Sequence, residues 1–322
     1  MLRKILGQLE RGAFRPETLP PDVATAIAIA PSVLAGLLLF HLVAIEMLGL
    51  AIGVGAAAHL ASRSSGRPLQ VSPVIPAVIG VGLVGPAAPQ PWIVGVAILA
   101  AALELARARV VPAARLHTGL LAFAALYLAS AGAFAGYLNP GALKPLAEPI
   151  RLWQQLGGAW VFDPVRLYVG NVPGPVFATS LMAVAVGAAW LWYARRLSLV
   201  VVASFLAGAL AVIVVEGWNP GFQLDSGPTW FAVAFLLADR RLLPGYAPAR
   251  PLAGLAAGAG ALFLRGPGGG VEGVFLAVAG VQVALALSAG IAWLAVNRSA
   301  ALQATLRFWR SARGAQVRRK AA

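Results

Sequence analysis

Two short polar, glycine-bearing clusters are the candidates for lining a ligand site. One is Asp225-Ser226-Gly227-Pro228-Thr229. The other runs from Gly170 through Asn171 and Gly174 to Thr179 and Ser180. Glycines let backbone N–H groups approach a ligand closely, so either cluster could line a site for a phosphate or a flavin ring. The same residue types also build ordinary turns, and each motif taken alone admits both readings. Little else competes with them. No P-loop, Rossmann, hydrolase or zinc signature is present, and His41, His59 and His117 lack ligand spacing. The chain has no Cys, which removes thiolate metal sites, iron–sulfur ligation and cysteine nucleophiles. We therefore expect no metal site and no catalytic residue. Glu46, Glu104 and Glu216 lie in or near apolar segments, where carboxylates are costly and often functional. All three fall close to segment ends, where solvation or pairing with Arg accounts for them.

The elements that must position these clusters are membrane spans. Of 322 residues 60% are hydrophobic and 11% charged, less than half the charge of an ordinary soluble domain. That excludes a soluble globular protein, a disordered chain and a disulfide-stapled secreted domain. Hydropathy over a window of about 20 residues predicts ten apolar segments near 22–42, 44–62, 69–85, 91–108, 116–136, 175–194, 198–216, 228–239, 250–265 and 271–296. With this alternation 21 of the 25 Lys and Arg residues fall on the side of the N-terminus, leaving Lys144, Arg151, Arg166 and Arg265 on the other. The positive-inside rule then makes both termini cytoplasmic. The net charge of +14 is a topology signal, and no nucleic-acid partner is expected.

Sliding the chain against itself gives an offset of 154 residues. Ser72-Pro-Val-Ile-Pro76, opening the third segment, falls on Ser226-Gly-Pro-Thr-Trp230, opening the eighth; Thr118-Gly-Leu-Leu falls on Glu272-Gly-Val-Phe. The expected fold is all-α and integral to the membrane: about ten transmembrane helices as two inverted five-helix repeats, with the third and eighth helices broken. Broken helices at matching places commonly build a central site. The region around Pro73, Pro76 and Pro228 is therefore expected to meet near the bilayer centre, the alternative being kinked helices of a bundle.

The predicted organisation is an amphipathic cytoplasmic helix over 1–21, a first repeat over 22–136, an extracytoplasmic loop over 137–173, a second repeat over 174–296 and a basic amphipathic tail over 297–322. Both ends read as helices lying on an anionic inner leaflet or docking a cytoplasmic partner. In the loop, Leu152, Trp153 and Leu156 suggest a short interfacial helix, and a loop this long is uncommon without a role. Trp92, Trp218 and Trp293 read as interfacial anchors.

With these residues in view the chain resembles the RnfD and NqrB family, membrane subunits of Rnf and sodium-pumping NADH:quinone oxidoreductase complexes. Tyr168 to Ala183 resembles the family segment around Gly-Glu-Thr-Ser. Phe222 to Arg240 is similar to its Ser-Gly-Gly … Ala-Thr-Asp-Pro stretch, and Gly269 to Val278 to Tyr-Pro-Glu-Gly-Val. The likeness extends over about 20–296. It implies electron-transfer chemistry with FMN joined through its phosphate to a Thr of a Ser/Thr-Gly-Ala-Thr motif before the second half. In this chain that place is taken by Pro140-Gly-Ala-Leu-Lys-Pro-Leu-Ala147. Leu143-Lys144 stands where the acceptor Thr belongs, and 137–173 contains no Thr. Gly-Glu-Thr-Ser is reduced to Phe177-Ala-Thr-Ser180, and Thr-Asp-Pro to Ala238-Asp-Arg240.

The resemblance thus implies an integral subunit of a multi-subunit redox or ion-translocating electron transport complex, in the bacterial cytoplasmic (inner) membrane. It would serve as scaffold or ion path beside other membrane subunits. Covalent FMN is not expected, a non-covalent flavin stays open, and the eight residues of the two clusters are read as flavin-site remnants. Two alternatives remain: a structural accessory subunit recruited to another bioenergetic complex, and a small-solute channel or transporter along the repeat axis.

Overall fold

The computed structural model describes residues 16–64, 72–112, 114–132, 136–159, 161–266 and 269–291. The expected terminal amphipathic helices and Trp293 lie outside them. The main body of the chain runs to Gln282, and a separate unit begins at Val283.

The described residues are mostly helical. In chain order the helices are α1 (Pro21–Ser64), α2 (Val74–Gly82), α3 (Gln90–Val110), α4 (Thr118–Ala129), α5 (Pro149–Gln155), α6 (Pro164–Val169), α7 (Leu181–Tyr193), α8 (Leu199–Glu216), α9 (Pro220–Leu224), α10 (Gly227–Leu237), α11 (Ala249–Phe263) and α12 (Glu272–Ile291). α10 begins as α-helix and widens to a π-helix from Ala232. Three helical stretches (Pro21–Arg63, Leu199–Glu216 and Glu272–Ile291) are long and apolar enough to cross a membrane, and α4, α7 and α10 are shorter apolar helices. This is a multi-pass membrane protein.

α1 is not one straight rod. His41 has φ 49° and ψ −123°, outside helical geometry. The backbone N–H of Ser72 donates to Asp22 Oδ2 at 2.9 Å, while Gly55 packs against the backbone of Val74. Along a straight helix Asp22 and Gly55 would stand about 50 Å apart. The chain therefore doubles back at His41 into two arms, which match the first two predicted segments.

Helix ends follow local chemistry. Glu148, Asp163 and Asn219 each accept backbone N–H groups with their side chains, and Pro follows each of them at the first helical position. The Asp163-Pro164 pair thus starts α6. Ser180 caps α7 by accepting from Ala183 N at 3.2 Å, so residues 175–180 of the sixth predicted segment stay outside the helix. The connector also contains a small antiparallel ladder, β1 (Leu138–Asn139) with β2 (Lys144–Pro145). This is a minor departure from an all-helical chain, made where Pro140 and Gly141 favour a turn.

Inside and outside are distributed as lipid requires. Leu34, Leu38, Leu42, Val186, Val214, Val215 and Leu252 face outward, and the interior is filled mainly with Ala, together with Val, Leu and Phe. A hydrocarbon solvent gives no reason to hide leucine, so close helix contact depends on small residues. Gly254 and Gly258 of α11 lie against backbone atoms of Val201 and Phe205, and Gly208 of α8 lies against the Leu255 carbonyl. These pairings advance together along both helices, so α8 and α11 run parallel. α7 runs antiparallel to the first arm of α1: Gly187 meets the Ala28 carbonyl, and Trp190 Nε1 donates to Ala24 O at 3.1 Å.

α2 and α10, at about 13 and 16 Å, are far shorter than the 30 Å of a bilayer core. They are joined through the non-helical segment Val176–Ser180, which is buried throughout. Its backbone is satisfied by donation from Val176 N to Val84 O and from Phe177 N to Gly82 O. The C-terminal end of α2 meets this segment from one side and Gly227, opening α10, from the other. The Pro76 carbonyl packs instead against Gly119 of α4.

Candidate functional site

The junction brings the two polar clusters together. A cleft is bounded by Thr179, Asp225, Ser226, Gly227 and Pro228, with Val172, Pro173, Phe222 and Val271 completing its walls. Gly227 is required there, because any Cβ would strike the Thr179 and Ala178 carbonyls. Gly174 seats the Thr179 methyl group in the same way. The remaining residues have other duties. Ser180 is spent on the α7 cap, and Asn171 is half-buried beside the cleft wall. Thr229 is fully buried and accepts from Arg265 Nη2, away from the cleft.

The cleft volume is about 20 Å³, room for a single water. A flavin ring needs a pocket of several hundred Å³, so the residues gathered at the junction do not fit that group. In the connector, Leu143 is exposed and Lys144 enters β2, with no hydroxyl at either position.

Behind the cleft lies a set of charges not predicted as site residues. Arg265 is 1% exposed; it donates to the Gln223 carbonyl at 2.8 Å, to Gln223 Oε1 at 3.3 Å and to Thr229. It therefore ties the C-terminal end of α9 to α10 across the break. Burial lowers its pKa to about 10, and the charge of Glu148 opposes that fall. Gln154 of α5 donates to the Arg265 and Gly266 carbonyls. Arg151 donates to both oxygens of Glu272, at 3.2 and 3.3 Å, and stands 4.0 Å from Glu148. Tyr137 OH donates to Glu272 at 2.8 Å. Glu148 and Glu272 are 0% and 1% exposed. From sequence alone, Arg151 and Arg265 were only topology markers, and Glu272 only a repeat match. A carboxylate at the head of a span, with arginines elsewhere on the same predicted side, was the signal available.

A second charged cluster joins the start of α1 to the turn after α10. Asp239, 2% exposed, pairs with Arg196 and with Arg241 at 3.0 Å. Thr25 Oγ1 accepts from Arg196 at 2.9 Å and from Arg241 at 2.7 Å. Burial would raise the Asp239 pKa, but the two arginines outweigh it and hold the carboxyl below its ordinary value. Elsewhere, Glu104 pairs with Arg107 at 2.5 Å and accepts from Thr118 at 2.8 Å, the pairing expected for a carboxylate near a span end. Glu46 and Glu216 are exposed. Among the described residues no group of His, Asp and Glu is arranged to hold a metal ion.

Among curated proteins none matches the chain significantly. The sequence model of the NQR2, RnfD, RnfE family, by contrast, matches residues 22–279, spanning both the junction and the connector, and the chain belongs to this family of membrane subunits of Rnf- and Nqr-type complexes.

Proposed function

We propose that the chain is an RnfD-like integral subunit of a multi-subunit redox complex, acting as scaffold or ion path in a form that has shed its covalent FMN. The observation that carries this reading is a family match over 22–279 in a chain whose connector, 137–173, has no Thr. Leu and Lys cannot form a phosphoester, and the junction cleft has room only for water. The small-solute channel reading draws no support from a junction packed this closely.

The inverted ten-span architecture is part of the proposal. Displaced by 154 residues, the two arms of α1, then α2, α3 and α4, fall in order on α7, α8, α10, α11 and α12. α7 runs antiparallel to the first arm of α1, as equivalent helices of inverted repeats must. The repeats would occupy 22–136 and 174–296, with the loop between them outside the cell membrane and both termini in the cytoplasm. Supporting that sidedness, Arg195 (3.4 Å from Glu17), Arg196 and Arg241 gather near the start of α1, whereas Arg151 and Arg265 gather at the connector.

Two measurements test the reading. A denaturing gel viewed for flavin fluorescence is expected to show no signal at 33.1 kDa; a fluorescent band there overturns the loss of FMN. Affinity purification of the full chain from its native membrane, followed by mass spectrometry, is expected to recover redox-complex membrane subunits. Recovery of the chain without them overturns the assignment to such a complex.

A further inference from the structure

We propose that Glu148 and Glu272, gathered around Arg151 beside Tyr137, form a one-proton binding site that exchanges with the aqueous vestibule at the connector. The inference needs no partner subunit and no flavin.

The geometry starts at Gly270. An added Cβ there would lie within 3 Å of Glu272 Oε2, Arg151 Nε and Glu148 Oε1. The two carboxylate oxygens are therefore less than about 6 Å apart, the range in which one negative charge disfavours another. Arg151 is committed to Glu272, with two hydrogen bonds against a 4.0 Å approach to Glu148. Glu148 is left with the backbone N–H groups of Ile150, at 2.6 Å, and Arg151, at 3.0 Å. Both carboxylates are buried, so the second negative charge receives almost no help from water.

The groups facing Glu148 come from every neighbouring element. They are Arg151 on α5, Glu272 on α12, Tyr137 before β1, Tyr127 on α4 and Arg265 after α11. With both glutamates ionised, the two carboxylates and two guanidiniums balance. Taking one proton onto a Glu148 oxygen leaves the set at +1. Burial and the neighbouring Glu272 push the Glu148 pKa up to about 7, against the two N–H donors and Arg151, which favour the anion. Glu148 is thus the member that accepts the proton, because Arg151 and the Tyr137 hydroxyl both donate to Glu272 instead.

A route for the proton is present. A vestibule of about 350 Å³ is lined by Ala87, Gly136, Tyr137, Pro145, Leu146 and Arg151, and two of these touch Glu272 directly. Proton binding also reaches the broken helix. Arg265 is otherwise held by neutral acceptors, and the ionised Glu148 is the charge that favours its own. Protonation therefore removes the electrostatic tie between the connector and the α9–α10 break.

The test is an infrared pH titration of the full chain in proteoliposomes, following the C=O stretch of protonated carboxyls. The native chain is expected to gain such a band as pH falls through about 7, and Glu148→Gln is expected to lack it. In Glu272→Gln the same band is expected one pH unit or more lower, because the neighbouring negative charge is gone and Arg151 is freed. A native chain with no carboxyl titrating between pH 6 and 8, a band that survives Glu148→Gln, or one that does not move in Glu272→Gln each overturns the proposal. If Glu148→Gln fails to fold, the shift in Glu272→Gln still decides.

Discussion

The connector cluster and the Asp239 cluster are built from the same side chains in opposite proportion. At Asp239 one buried carboxylate is shared by two guanidiniums, with Thr25 filling the remaining acceptor position. At the connector two buried carboxylates share one close guanidinium, with the second, Arg265, occupied by carbonyl, amide and hydroxyl acceptors. The difference teaches that burial alone does not make a carboxylate titrate in the neutral range. Burial pushes both carboxyls up; at Asp239 the two arginines outweigh it, whereas at Glu148 the neighbouring Glu272 charge adds to it. One cluster is a fixed clasp between the start of α1 and the turn after α10. The other can change its charge.

Three experiments would break or sharpen this contrast. The largest effect is expected from Asp239→Ala, which leaves the part-buried Arg196 and the more exposed Arg241 uncompensated. A loss of about 3 kcal/mol is expected, read as a fall in thermal unfolding temperature in detergent. A variant as stable as the native chain would show that the clasp is ornamental. Next comes pH. The Glu148 pKa is raised from 4.5 to about 7 on folding, so between these values the folded chain holds more protons than the unfolded one. Its contribution to stability is greatest below pH 4.5 and is lost as pH rises through about 7, by roughly 3 kcal/mol in all. Comparing unfolding of the native chain and Glu148→Gln at pH 5 and pH 8 should show that slope in the native chain alone. A slope equal in both would assign it elsewhere. The smallest effect belongs to Arg195→Ala. Its pair with Glu17 is solvent-exposed, 79% and 42% for the two side chains, and its loss should cost no more than about 0.5 kcal/mol. A larger loss would mean that exposed charge near the start of α1 matters as much as buried charge.

Much of the scaffold was legible before any coordinates. The boundary between the first two predicted segments lies beside the His41 bend, whereas the helix starts at Glu148-Pro149, Asp163-Pro164 and Asn219-Pro220, made by side-chain acceptors set before proline, were not predicted. The short third and eighth segments became α2 and α10. The two polar clusters were read separately as possible linings of a site, and the structure brings Thr179, Asp225, Ser226 and Gly227 into one cleft. What they do there differed from expectation. Ser180 caps a helix, Thr229 faces Arg265, and the cleft has room for water rather than a ring system.

The boundary between the two kinds of knowledge has a physical cause. Composition, periodicity and capping are local, so sequence alone determined that this chain is helical, enters a membrane repeatedly, carries its basic residues asymmetrically and offers no Thr in its connector. The pairing of Glu148 with Glu272, 124 positions away, and of Arg265 with the α9–α10 break is set by which helices pack together. Charge balance in a buried cluster depends on distances of a few ångströms between residues far apart in the chain, and only the tertiary structure decided those.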